Sequence, residues 1–128
     1  MGNSKEKVKI TPEELVLLVL QIAEAREFNF DDRFRCLFYE TASKFGGPWS
    51  EFGPHASLDH NQMLDDTISS LVISGELTRI EKTERVMVNP QVHNDFADYR
   101  LDLVPNEVQA EIMQVAKEFS RRVRYELY

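Results

Sequence analysis

The stretch FGPHASLDHNQMLDDTISSLVISGELTRIEKTERVMVNP, residues 52–90, decides how the chain is read. Gly53-Pro54 is a break. Beyond it, Ser57 or Asp59 offers a short side-chain oxygen that can satisfy the free N–H groups of a first helical turn. Asp59 followed by Gln62 makes a loose capping box. Leu64, Ile68, Leu71 and Val72 then recur at i, i+4, i+7 and i+8, which predicts a helix over 58–74. Gly75 stands where a left-handed C-cap residue is favoured. Leu77 to Ile80 and Val86 to Val88 are short β-prone runs joined by Glu81-Lys82-Thr83-Glu84, so residues 76–89 predict a hairpin.

Upstream, Thr11-Pro12-Glu13-Glu14 is a sharp helix start: Thr11 caps, Pro12 takes the first helical position, and Glu14 completes a capping box. The helix carries Leu15, Leu18, Val19 and Ile22 on one side and Val16, Leu17 and Leu20 on the other, and frays near Arg26. A helix apolar nearly all round is central in its domain or buried against a second subunit. Phe28-Asn29-Phe30 reads as a link to a second helix, which Asp31-Asp32 open. On that helix Phe34, Leu37, Phe38 and Phe45 share one face, an aromatic core stripe, and Gly46-Gly47-Pro48 ends it. Trp49 lies in the following loop with Phe52, either a lid on the core or a contact for a partner.

Downstream, Asn89-Pro90 marks a turn, and residues 91–104 mix helical and extended spacing. Val108, Ile112, Val115, Ala116, Phe119 and Val123 give a last helix over 106–127. Residues 1–10 read as a flexible N-terminal segment, and 11–128 as a single domain.

The formal net charge of −7 disfavours diffuse attraction to nucleic acid or anionic membrane. The longest apolar run, Leu15 to Leu20, is too short to span a bilayer, and no signal-peptide pattern precedes it. The single Cys36 fits a reducing compartment, so a cytoplasmic protein is expected.

The order of elements resembles that of winged-helix domains. The expected fold is therefore mainly α (α+β), a winged-helix-like helical domain with a small β-hairpin wing and a long C-terminal helix. Phe52-Gly53-Pro54 followed by Leu64, Leu71 and Gly75 also loosely resembles the bacterial and phage Panacea (SocA-like antitoxin) group, over residues 15 to 80. That resemblance implies action through protein contacts, as an antitoxin or adaptor. Where the group carries a Lys-Leu-x-Lys-Leu-x-Tyr helix, this chain has Arg33-Phe34-Arg35-Cys36-Leu37-Phe38-Tyr39, and no functional residue is carried over.

Two function classes compete. A helix for the DNA major groove needs cations for phosphates and a reader of base edges. Between His55 and Gly75 the chain offers Asn61 and Gln62, but no lysine or arginine, beside Asp59, Asp65 and Asp66. The leading expectation is thus a protein-interaction or regulatory module with Trp49, His60, Asp65 and Asp66 as contacts. Its candidate partners are another protein or a second copy docked through helix 12–25 or 106–127. The alternative is a DNA-binding regulator using Asn61 and Gln62, the wing cations Arg79, Lys82 and Arg85, and the tail arginines Arg121, Arg122 and Arg124. Solvated surface and helix-end charge compensation is the plainer reading of those cations. Reversing Asp65 and Asp66 to lysine is expected to leave the fold intact while disrupting a protein partner.

No cofactor or catalytic pattern emerges, and a non-enzyme is expected. His55, His60 and His93 with Asp59 lack a recognised metal spacing, no glycine pattern cradles a phosphate, and no serine sits in a nucleophile elbow.

Overall fold

The computed structural model describes residues 10–53, 62–92 and 104–127. Within them run α1 (Pro12–Ile22), β1 (Ala25–Asn29), α2 (Asp32–Phe45), a 3-10 helix (Gly47–Phe52), α3 (Gln62–Ile73), β2 (Leu77–Arg79), β3 (Arg85–Val88), α4 (Asn106–Arg122) and β4 (Tyr125–Leu127). The architecture is mainly helical α+β, with one antiparallel sheet in the order β2-β3-β1-β4.

α1 starts as its sequence dictates. Thr11 Oγ1 accepts from the Glu14 N–H at 3.1 Å, and the Thr11 N–H donates to Glu14 Oε1 at 3.0 Å, a reciprocal capping box. From Leu15 to Gln21 every residue is buried. α4 lies against it, α3 and the 3-10 helix pack on it too, and α2 lies against α4. A helix apolar on all sides is thus covered on all sides by its own chain. That corrects one of the two expected dimer surfaces, because helix 12–25 has no apolar side left to offer a second copy. The helix also stops at Ile22. Glu24, in the left-handed region at φ 56°, turns the chain into β1.

β1 is the element the sequence reading missed. Phe28 pairs with Val86 on one side and with Tyr125 on the other, so the segment read as a link is an interior strand of the sheet. Its partner β4 takes the place of the final turns expected of a helix over 106–127. The core is rich in aromatic rings. Phe34 stacks on Phe28 and Phe38 with centroids 5.0 and 4.9 Å apart, while Phe119 of α4 meets Phe28 edge-on at 6.1 Å. Such ring pairs add to the area they bury by about 1 kcal/mol each.

α2 opens on Asp31, whose carboxylate accepts from the Arg33 and Phe34 N–H groups. α3 ends in a Schellman motif: Gly75 at φ 89° donates to the Val72 carbonyl, and the Glu76 N–H donates to the Leu71 carbonyl. The Asn89 Nδ2 and Gln91 Nε2 groups then donate to the Gly75 carbonyl at 2.6 and 2.9 Å. These bonds fasten the hairpin to the end of α3.

Candidate functional site

α3 and the β2–β3 hairpin form one composite surface. α3 turns Leu64, Thr67, Ile68 and Leu71 inward, which the i, i+4, i+7 spacing required. Its outward face carries Gln62, Asp66, Ser69, Ser70, Ile73 and Ser74. α3 itself contributes no cation to that face, and Ile73 is 87 % exposed, the most exposed of the large apolar side chains described. Gln62 Nε2 donates to Asp66 Oδ1 at 3.0 Å, one turn along. Arg79 of β2 reaches across to donate to Ser69 Oγ at 3.2 Å.

The two aspartates expected to act together do not share a role. Asp65 turns toward α2, where Arg35 Nε and Nη2 both donate to its Oδ1 at 3.3 Å. Asp66 faces solvent. Trp49 is fully buried, against Phe38 and Phe45, with its Nε1 donating to Glu111 Oε1 of α4 at 2.9 Å. Of its two readings the lid fits this burial, and the partner contact is corrected. His60, with Asn61 and the caps Ser57 and Asp59, lies outside the described residues, as do His55 and His93 of the metal reading and residues 93–103.

Most of the cations proposed for nucleic acid already have intramolecular partners. Arg85 is a hub on the open face of the sheet: it pairs with Glu27 through Nε, and donates to Asn29 Oδ1 and Glu126 Oε2, each at 3.2 Å. Glu126 also pairs with Arg26, so β3, β1 and β4 are tied by one ionic network. Arg121 meets Glu118 at 2.8 Å. Arg122 grips both oxygens of Glu40 on α2, at 2.9 and 3.2 Å. Its hydrogen bonds hold the Glu40 carboxyl below the ordinary value and raise the Arg122 guanidinium in return. Arg79 lies with its guanidinium 5.9 Å from the Phe30 ring centre, besides its bond to Ser69. Among the described residues Lys82, at φ 64° in the hairpin turn, and Arg124 make no ion pair.

The sequence reading had no means of pairing these charges. Arg122 and Glu40 are 82 positions apart, and Arg85 and Glu27 are 58 apart. Among the described residues no helix is long and apolar enough to cross a membrane, and no group of three or more His, Cys, Asp or Glu is gathered to hold a metal ion.

Compared with protein-family models, with curated proteins and with solved structures, the chain matches none.

Proposed function

We propose that the chain is a non-enzymatic regulatory or protein-interaction module that docks another protein on the outward face of α3. One observation carries the reading: that face is uncharged apart from Asp66 and ends on the 87 % exposed Ile73. Small hydroxyl side chains allow close approach, and a protruding isoleucine supplies apolar area for a partner's pocket. A phosphate backbone would meet Asp66 and no cation of α3 there, with Arg79 of β2 alone reaching the face. The element order α1-β1-α2-α3-β2-β3, with β1 paired to β3, supports the winged-helix-like reading, in which α3 and the hairpin are the contact elements.

DNA binding is the second reading, favoured by Arg79 and by Lys82, which has no ion partner among the described residues, on the hairpin beside α3. Fluorescence anisotropy with mixed-sequence duplex DNA at low salt separates the two. We expect no binding at low salt, together with proteins cross-linked from host lysate by the wild-type chain and lost with Ile73→Asp while circular dichroism is unchanged. Binding that weakens steeply with salt would put the hairpin cations in charge instead.

A further inference from the structure

We infer that the hollow between the start of α2 and the end of α4 binds a compact dianion of the phosphate class. Asp32, Arg33, Cys36, Glu40, Arg121 and Arg122 line a depression of about 480 Å³. Three arginines from two helices converge there, with Asp32 and Glu40 in the lining and Glu118 beside Arg121, on a chain whose net charge is −7. This inference is independent of the docking face on α3.

The arginines are not equally committed. Arg33 is exposed and makes no ion pair among the described residues. Arg121 pairs with Glu118 on its own helix, with its side chain 68 % exposed, an arrangement that holds the guanidinium weakly. Arg122 presents its two terminal nitrogens to Glu40 in the side-by-side geometry that also suits a phosphate. The Glu40 side chain is 61 % exposed, so it can swing into solvent when a dianion takes its place on Arg122. Glu40 is thus a built-in competitor, occupying the fork that the ligand would use. The carboxylates of Asp32 and Glu118 flank the arginines, which disfavours an extended polyanion running over them more than a compact anion held on the guanidinium groups.

Cys36, the chain's single cysteine, is exposed and sits in this lining, which gives a direct footprint. The rate of Cys36 alkylation by neutral iodoacetamide would be measured in the full chain with inorganic phosphate, against chloride at equal ionic strength. At about four times the dissociation constant, mass action predicts about fivefold slower alkylation. Arg33→Ala and Arg121→Ala should remove this protection, with circular dichroism confirming their fold. Glu40→Gln, which frees Arg122, should shift saturation to lower phosphate concentration. Equal slowing by chloride, or protection that survives both arginine variants, would overturn the assignment. Duplex DNA at matched phosphate concentration is the second probe: protection stronger than that of inorganic phosphate would mean the hollow reads a polyanion, and the compact-dianion proposal would fall.

Discussion

Arg35 of α2 holds Asp65 of α3 with two donors at 3.3 Å while its guanidinium carbon lies 4.5 Å from the centre of the Phe30 ring. One side chain thus joins the second helix, the third helix and the segment leaving β1. The Arg35 side chain is 23 % exposed against 47 % for Asp65, so the pair is shielded more than a typical surface contact.

The two neighbouring aspartates should therefore respond differently to charge reversal. Asp65→Lys places a second cation against Arg35 and is expected to cost about 1 kcal/mol, read as a lower urea midpoint. Asp66→Lys should change stability by less than about 0.5 kcal/mol. The expectation that both reversals spare the fold is thereby divided. Equal effects would show that the Arg35–Asp65 pair contributes nothing.

Trp49 reports on the core. Trp49→Phe removes the bond to Glu111 and leaves a gap, for an expected loss of about 1–2 kcal/mol, and Trp49→Ala should cost about 3–5 kcal/mol. Since Trp49 is the chain's single tryptophan, its emission in the folded wild type should be blue-shifted and should move red on unfolding. Emission typical of exposed indole before denaturant is added would contradict its burial.

Gly75 tests backbone strain without crowding. A Cβ there would meet nothing within 4 Å, yet φ is 89°. Gly75→Ala should accordingly cost about 1–2 kcal/mol from conformation alone. An unchanged thermal midpoint would mean that the end of α3 relaxes to another geometry.

Glu40 gives a pH prediction whose sign follows from its lowered folded-state pKa. The stabilisation it supplies is present above its ordinary value of 4.5 and is lost as pH falls through the folded pKa. Because both side chains reach solvent, the whole effect should stay under about 1 kcal/mol. Comparing wild type with Glu40→Gln by urea unfolding at neutral and acidic pH checks this: the difference between them should shrink on the acid side.

What was legible in the sequence depended on how local the deciding forces are. The capping box of α1, the cap on Asp31, the inward face of α3 and the Gly75 stop are settled within a few residues of one another, and each was readable. β1 was not. Arg26 and Glu27 sit within it, and a register shift between Ala25 and Glu27 breaks the alternation a half-buried strand would show. Its strand character comes from partners at residues 85–87 and 125–127. The candidate site was hidden for the same reason. Reading along the chain gave Arg85 and Arg122 as solvated or helix-end charges, whereas folding brings them Glu27 and Glu40 from distant elements. In the case of Asp65, folding took away a charge that had been assigned to a partner.

The position of β1 between β3 and β4 has a consequence for how the chain matures. During synthesis, α1 and β1 emerge before α4 and β4, yet part of the cover for α1 and the partner on one edge of β1 are supplied by those elements, more than 80 residues later. Until residue 127 has left the ribosome, one side of α1 or one edge of β1 stays open to water and to other nascent chains. Low translation temperature or a holding chaperone should then raise soluble yield more than any change to the finished surface, because the vulnerable interval ends only when the final strand closes the sheet.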